Sequence, residues 1–329
     1  MSAKQRPSED SLIARFFAPI AGEAALGLKD DAACLRPKPG HDLVLTTDAL
    51  VERVHFLPED APGSIARKAL GVNVSDLAAK GSEPAGFLLS LALPDDWTED
   101  WLAAFAAGLG QASRDFACPL LGGDTVRARG PLTLSVTAVG QVPSGRMVPR
   151  TTAGVGDAVC VTGTIGDAAL GLKLRADPPW AAALSLEERA HLADRYLHPQ
   201  PRHRLAAALR DHASAAMDVS DGLAGDLAKM MRASGTSAVV EAAQVPLSSA
   251  AAKAVQASPS LLDLALTGGD DYEILCTVPE KKLDSFRKEA DSVGIALSVI
   301  GRVVAGQDLP VFRMNGLERR YDVGSYQHF

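Results

Sequence analysis

The stretch Ala216-Met217-Asp218-Val219-Ser220-Asp221-Gly222-Leu223-Ala224-Gly225-Asp226-Leu227 is the part of the chain that most clearly indicates the fold. Its apolar start predicts a strand, and the helical spacing of the apolar residues that follow predicts a helix that ends at Gly235. Ser220 is a favourable N-cap residue, so Asp218 and Asp221 are expected where a strand leads into a helix. Ligands of open α/β sheets bind at such positions, although an ordinary capping turn explains the same pattern.

Composition limits the class of protein. The chain has 329 residues and a formal net charge of −7, with 47% hydrophobic and 22% charged residues, which favours two soluble domains. The acidic balance and the lack of a basic block argue against a nucleic-acid partner. No apolar run reaches membrane-spanning length and no signal-peptide pattern is present, so we expect a cytoplasmic protein without a membrane partner. The four cysteines are far apart in sequence and predict reduced thiols in or near the core.

Strands and helices alternate loosely in both halves of the sequence, which predicts α/β or α+β layers. Helices are expected from Ser64 to Lys80 and from Thr98 to Phe116, with Ser64 and Thr98 as N-caps. A boundary is expected within residues 143–157, which are rich in Gly, Pro, Ser and Thr. We place the two domains at residues 1–148 and 149–329.

Carboxylates recur at predicted element ends and in glycine-rich turns. The acids in question are Asp30, Asp31, Asp48, Asp76, Asp124, Asp218 and Asp221. Asp76 is the exception, because it falls within an apolar helix, where a carboxylate is costly unless it is paired, for example with Lys80, or bound to a metal. If the fold gathers these acids they repel one another without cations, and oxygen ligands of Asp, Thr and Ser suit Mg²⁺. With no P-loop and no zinc-type cluster, the pattern indicates metal-assisted phosphate chemistry.

Several of these positions also fit structural roles. Asp30 and Asp31 fit a solvated turn before a small apolar strand at Ala32–Leu35. His55 lies between apolar residues and fits a packed or hydrogen-bonded side chain. Gly122-Gly123 fits an ordinary turn as well as a phosphate cradle.

Seven segments in the same order resemble the thiamine-monophosphate kinase family, which belongs to the aminoimidazole-ribonucleotide-synthetase-like superfamily. The segments are GLKDDAACL (27–35), VLTTDALVERVHF (44–56), KALGVNVSDLAAKGSEP (68–84), LLGGDTVRARGPLTLSVTAVG (120–140), VPRTTAGVGDAVCVTGTIGDAALGL (148–172), AMDVSDGLAGDL (216–227) and LTGGDDYEILCTVP (266–279). The resemblance implies a two-domain α/β (α+β) fold whose N-terminal domains pair in a homodimer, the paired sheets forming a barrel. It also implies that ATP and thiamine monophosphate give ADP and thiamine diphosphate, with Mg²⁺.

The resemblance carries over to individual residues. Metal contacts are implied for Asp31, Thr46, Thr47, Asp48, Asp76, Asp124, Asp218 and Asp221. ATP contacts are implied for Gly123, Asp124, Arg150 and Ser220. Contacts with the thiamine monophosphate are implied for His55, Asp270 and Val323. No general base is expected, because a phosphate monoester has a second pKa of about 6 and is mostly dianionic at neutral pH.

Three positions depart from the family pattern. Lys29 stands where the family usually has Gly, and Asp270 stands where it usually has Glu. Val323 stands where the family often has an aromatic residue that stacks on thiamine, a role that Tyr321 or Tyr326 could take instead.

Other classes of protein are compatible with the same pattern. The alternatives are another ATP-using synthetase of the superfamily, a maturation protein with a group-carrying C-terminal cysteine, and a silent nucleotide-binding scaffold. The chain ends Tyr326-Gln327-His328-Phe329, without a cysteine, and its first cysteine is Cys34. These features disfavour the maturation protein and a selenophosphate synthetase. The intact acid set disfavours the scaffold.

Overall fold

The computed structural model describes residues 8–314, 316–322 and 324–325. The chain forms two compact units, each with its own β-sheet and helices. The N-terminal unit runs up to Leu77 and includes Glu83–Ser144, and the C-terminal unit consists of Ala78–Ser82 and the chain from Gly145 onward. The predicted division after residue 148 stays a prediction.

A four-stranded sheet forms the centre of the N-terminal unit. Its strands are β1 (His41–Val51), β2 (Glu83–Leu93), β3 (Leu120–Arg127) and β4 (Thr133–Pro143). The order is β1-β4-β2-β3, with β4 antiparallel to β1 and β2, and β2 parallel to β3. Side chains alternate between a buried face and an open one. The buried face carries Val44, Leu50, Phe87, Leu91, Leu134 and Val136.

Two long helices, α2 (Pro62–Ala79) and α3 (Glu99–Asp115), complete this unit. They approach closely at Gly63 and Gly108, where a Cβ on Gly108 would lie 2.3 Å from the Gly63 Cα atom. The predicted N-cap Thr98 is confirmed, because its side chain accepts a hydrogen bond from the Trp101 N–H. The predicted N-cap Ser64 is wrong: α2 begins two residues earlier, since Pro62 suits a first helical turn.

The segment before β1 differs from the prediction. A four-residue α1 (Glu9–Leu12) continues into short helical turns up to Leu28, and residues 32–35 form no strand. Instead the Cys34 N–H donates to the Ala24 carbonyl oxygen (2.9 Å), and Pro37 and Pro39 follow without N–H groups for a sheet. Cys34 is therefore exposed rather than near the core, whereas Cys118, Cys160 and Cys276 are buried as expected.

A seven-stranded sheet forms the centre of the C-terminal unit. Its strands are β5 (Ala158–Thr162), β6 (Ala215–Asp218), β7 (Ser237–Glu241), β8 (Ile274–Val278), β9 (Leu297–Val304), β10 (Val311–Met314) and β11 (Leu317–Arg319). The order is β11-β10-β7-β9-β5-β8-β6. Only the β10–β7 pair is parallel among these described strands.

Helices surround this second sheet. They are α4 (Asp167–Leu174), α5 (Leu186–Leu197), α6 (Ala206–His212), α7 (Leu223–Ser234), α8 (Ser249–Ala257), α9 (Leu261–Thr267) and α10 (Leu283–Ser292). Leu227 of α7 is buried in one core cluster, whereas Leu209 of α6 and Phe286 of α10 are buried in another. Within residues 8–314, 316–322 and 324–325, every helix is too short or too polar to span a lipid bilayer.

Candidate functional site

The side chains of Thr46 on β1 and Asp76 on α2 are in direct contact. The Thr46 Oγ1 atom donates a hydrogen bond to the Asp76 Oδ2 atom at 2.5 Å. Asp76 lies one turn after Asn73, whose Oδ1 accepts from the Asp48 N–H (3.1 Å) and whose Nδ2 donates to the Ala69 carbonyl oxygen (3.0 Å). The fully buried Asn73 therefore connects β1 to α2, a role that was not predicted from the sequence.

Thr47 and Asp124 lie on the opposite, open face of the same sheet. Asp124 pairs with Ser90, and Ser90 pairs with Ser135, whose neighbour on β1 is Ala49. Paired residues share a face and residues two apart along a strand do too, so Asp124 is on the face of Thr47. The Thr47 hydroxyl contacts the Thr137 hydroxyl at 3.0 Å. The predicted ligands of the N-terminal unit are thus divided between two faces.

Asp31 and Asp124 are exposed acids. Neither carboxylate makes a hydrogen bond or an ion pair with the residues that the structure describes. Asp31 lies in an exposed turn beside Lys29 and Asp30, and Asp124 follows Gly123 on β3. Gly123 is required by close packing of two strands, because a Cβ there would lie 1.8 Å from the Leu89 carbonyl oxygen. The backbone at Asp124 is consequently fixed while its carboxylate faces solvent.

His55 is held by hydrogen bonds in the loop after β1. Its Nδ1 atom accepts from the Val51 N–H (3.0 Å), and its carbonyl oxygen accepts from the buried Lys68 Nζ (3.0 Å). A ring nitrogen that accepts carries no proton, so the imidazole is neutral with its proton on Nε2. The structure confirms a hydrogen-bonded His55 and leaves the predicted substrate contact untested.

In the C-terminal unit, the backbone brings Asp218–Asp221 beside Asp270–Glu273. The Asp270 N–H donates to the Ser220 carbonyl oxygen, the Tyr272 N–H to the Val219 carbonyl oxygen, and the Val219 N–H to the Glu273 carbonyl oxygen, each at 2.8 Å. Asp218 is the buried last residue of β6. Two segments far apart in sequence therefore lie side by side.

Ser220 is not the N-cap of α7, which corrects the prediction. The helix begins at Leu223 after the N-cap residue Gly222, and the fully buried Asp226 carboxylate binds the backbone of the loop that precedes the helix. Its Oδ2 atom accepts from the N–H groups of Ser220 (3.0 Å), Asp221 (2.9 Å) and Gly222 (3.2 Å). Burial raises the pKa of Asp226, an effect that the hydrogen bond from Lys229 opposes. One buried carboxylate thus shapes the loop that carries the predicted ligands.

Lys229 bridges two of these acids. Its Nζ atom donates to Asp221 Oδ2 (2.5 Å) and to Asp226 Oδ1 (2.9 Å). Burial lowers the pKa of Lys229, but hydrogen bonds from its ammonium to Asp221 and then Asp226 outweigh this and raise it. Sequence reasoning missed this partner, although a lysine two turns into the predicted helix could have indicated an ion pair with these acids.

The other acids of the Gly268–Glu273 segment have structural partners. Asp271 accepts from the Gly166 N–H (2.8 Å), and burial raises its pKa well above the usual range. Glu273 accepts from Arg202 Nε (2.6 Å) and from the Thr162 hydroxyl (2.7 Å). Asp270 remains half-buried with a positive φ of 73°, a conformation that Asp tolerates better than most residues.

The remaining predicted contacts lie at the edge of this site or outside the description. Arg150 is exposed, directly after Pro149, whose carbonyl oxygen accepts from the Ala216 N–H (3.1 Å). Val323 and Tyr326 lie outside the described residues. Tyr321 is half-buried, and its hydroxyl donates to Asp263 Oδ1 (2.8 Å).

The donor chemistry fits Mg²⁺, since carboxylate and hydroxyl oxygens at Thr46 and Asp76 are hard ligands. Across residues 8–314, 316–322 and 324–325, however, no group of three or more His, Cys, Asp or Glu side chains is gathered tightly enough to hold an ion. The metal contacts implied for these acids therefore stay predictions.

Comparisons with known proteins match both units to one class. The family model for the N-terminal domain of AIR synthase related proteins matches residues 29–142, and that for the C-terminal domain matches residues 154–313. This defines a two-domain AIR synthase related protein of mixed α/β structure.

Individual relatives narrow the class. A thiamine-monophosphate kinase of Caulobacter vibrioides is 40% identical over 93% of this chain and 87% of its own. The solved thiamine-monophosphate kinase of Stenotrophomonas maltophilia K279a is 41% identical, with a TM-score of 0.79 over 88% of this chain and 90% of that one. The structure of AaThiL complexed with AMPPCP and TMP is 29% identical, with a TM-score of 0.78 over 98% of this chain and 94% of that one. The chain belongs to the thiamine-monophosphate kinase family.

Proposed function

We propose that this protein transfers the γ-phosphoryl group of ATP to thiamine monophosphate, which gives thiamine diphosphate, the last step of thiamine diphosphate biosynthesis. The observation that carries the proposal is the near full-length similarity to thiamine-monophosphate kinases, one relative being solved with AMPPCP and TMP. The first domain, residues 1–148, would bind ATP and Mg²⁺ and dimerise, and residues 149–329 would form the second domain.

The proposed metal ligands are oxygen donors of both units. They are Asp31, Thr46, Thr47, Asp48, Asp76, Asp124, Asp218 and Asp221. These residues would hold Mg²⁺, which would supply positive charge to offset that of the phosphate groups. The chain's part is to hold these donors in place: Asn73 positions the Asp48 backbone, and Asp226 positions the 220–222 loop. ATP would contact Gly123, Asp124, Arg150 and Ser220.

Substrate orientation is the proposed role of His55, Asp270 and Val323. The Val51 N–H occupies the His55 Nδ1 atom, so the ring would present its Nε2 proton as a hydrogen-bond donor to a phosphate oxygen. The same bond disfavours His55 as a base. No base is needed, because the attacking phosphate is mostly dianionic above its second pKa of about 6. Catalysis would then rest on positioning and charge neutralisation.

The open face of the N-terminal sheet supports a homodimer in which two such sheets pair into a barrel. This face carries apolar side chains that are between two-fifths and two-thirds exposed. They are Leu43, Leu45, Leu88 and Val126. Exposed apolar patches of this kind mark association surfaces. The free cysteines fit the reducing cytoplasm, where we place the reaction.

The test is ADP release from ATP and Mg²⁺, with and without thiamine monophosphate, while thiamine diphosphate is followed by chromatography. We expect one thiamine diphosphate per ADP and little ADP without the acceptor. ATP turnover that yields no thiamine diphosphate would leave the family membership intact and refute the proposed substrate.

A further inference from the structure

We propose that Lys229 is a positioning residue that competes with the divalent cation for the Asp221 carboxylate and so sets how tightly that carboxylate binds metal. The inference rests on the proposed function in one respect, the assignment of Asp221 as a metal ligand.

The first support is the geometry of the three side chains. Lys229 Nζ lies 2.5 Å from Asp221 Oδ2 and 2.9 Å from Asp226 Oδ1, so the two carboxylates share one ammonium group, which offsets the charge of only one of them. Lys229 and Asp226 are three residues apart on α7, which fixes their relative position. The ammonium therefore occupies the side of Asp221 that faces the helix.

The second support is that the Asp226 carboxylate accepts more hydrogen bonds than the Asp221 carboxylate. The buried Asp226 accepts three backbone N–H groups in addition to Lys229, and its side chain is fully inaccessible. Asp221 is about one-third exposed, and among the described residues only Lys229 donates to its carboxylate. Asp221 can thus leave Lys229 for a cation while Lys229 stays neutralised by Asp226.

A purely structural ion pair would behave differently. Removal of its lysine would lower stability and leave cation binding unchanged. A competing ammonium, in contrast, weakens cation binding for as long as it is present, because like charges repel across a few ångströms. Metal affinity, rather than turnover, separates the two roles.

The experiment measures Mn²⁺ binding to the full-length protein by calorimetry and electron paramagnetic resonance, for wild type, Lys229→Met and Lys229→Gln. We expect both variants to bind Mn²⁺ roughly three- to tenfold more tightly at the class of site that Asp221→Asn weakens. Lys229→Gln keeps a neutral donor for Asp226 and so remains informative if Lys229→Met does not fold. Lys253→Met is the matched control, since it breaks a lysine–carboxylate pair of the same length with Glu188, and should bind Mn²⁺ as wild type does.

Two results would overturn the inference, and they are distinguishable. If Asp221→Asn weakens Mn²⁺ binding while folded Lys229 variants bind with unchanged or lower affinity, Lys229 does not compete and only this inference fails. If Asp221→Asn leaves Mn²⁺ binding unchanged, the proposed metal role of Asp221 fails and the inference fails with it.

Discussion

Two acids of the N-terminal unit and two of the C-terminal unit are held in opposite ways. Asp31 and Asp124 expose their carboxylates to solvent and have no partner among the described residues. Asp221 and Asp226 share the ammonium of Lys229, and Asp226 also accepts three backbone N–H groups. The carboxylates of the first pair are open to a cation from solution, whereas those of the second already have hydrogen-bond donors of the protein as partners.

This difference separates two uses of a carboxylate. An exposed acid contributes little to stability, so its removal should affect binding and turnover far more than folding. A buried acid with several donors is part of the fold, so its removal should affect stability first. The variants below test that separation, from the largest expected effect to the smallest.

Asp226→Ala should have the largest effect. It leaves three N–H groups and Lys229 without their buried partner, and breaking such a pair costs about 3–5 kcal/mol. The free energy of unfolding by chemical denaturation measures this. Asp284→Ala removes an exposed acid from the first turn of α10 and should change stability much less. Equal losses for the two variants would contradict the assigned role of Asp226.

Asp124→Asn should abolish most turnover without unfolding the protein. We expect thiamine diphosphate formation to fall by more than about 100-fold, because a proposed direct metal ligand is lost. The thermal midpoint should stay near that of wild type, since the side chain is exposed. Asp100→Asn, another exposed acid, serves as the control. Normal activity of Asp124→Asn at limiting Mg²⁺ would contradict its assignment.

Thr46→Val should have an intermediate effect on stability and on the Mg²⁺ dependence of the rate. It removes the hydroxyl that donates to Asp76 and keeps the side-chain shape, which we expect to cost about 1–2 kcal/mol of stability. The Mg²⁺ concentration at half-maximal rate should rise about tenfold, because Asp76 loses its orienting partner. Thr46→Ser restores the hydroxyl and should recover both. A Thr46→Val protein with the wild-type Mg²⁺ dependence would show that this contact is structural only.

The smallest expected effect is the difference in thiol reactivity between Cys34 and the other three cysteines. It tests whether the segment that carries Asp31 is exposed. Cys34 should react in the native protein, and Cys118, Cys160 and Cys276 should not. Burial raises the pKa of Cys118 to about 12, and the thiolate is the reactive form. Thiol quantitation before and after denaturation measures the number of reactive thiols, with Cys34→Ser as the control. Labelling of a second native thiol would show that the core opens readily.

Local patterns predicted much of the fold. The apolar run of β1, the N-cap Thr98 and the strand-to-helix step at Asp218 follow from spacing and capping chemistry alone. Ser220 was predicted wrongly as the N-cap, because α7 begins only after Gly222 and the Ser220 N–H donates to the carboxylate of Asp226, six residues later. The expected strand at residues 32–35 has no partner strand, which no local pattern reveals.

The candidate site was less predictable, because its geometry depends on contacts far apart in sequence. Alternation along β1 separates Thr46 from Thr47, but the position of α2 decides which of them meets Asp76. The pairing of residues 218–221 with 270–273 is likewise tertiary. The ligand assignments, which came from resemblance, stay predictions until the variants are measured.

The most direct test of the central claim follows the phosphoryl group itself. ATP labelled at its γ-phosphate is mixed with thiamine monophosphate, Mg²⁺ and the full-length protein, and the products are separated after a single turnover. The account predicts that the label appears in thiamine diphosphate, at its terminal phosphate, in an amount equal to the ADP formed. Label found only in free phosphate, or in a phosphorylated protein that never passes it to the acceptor, would contradict direct transfer by this protein.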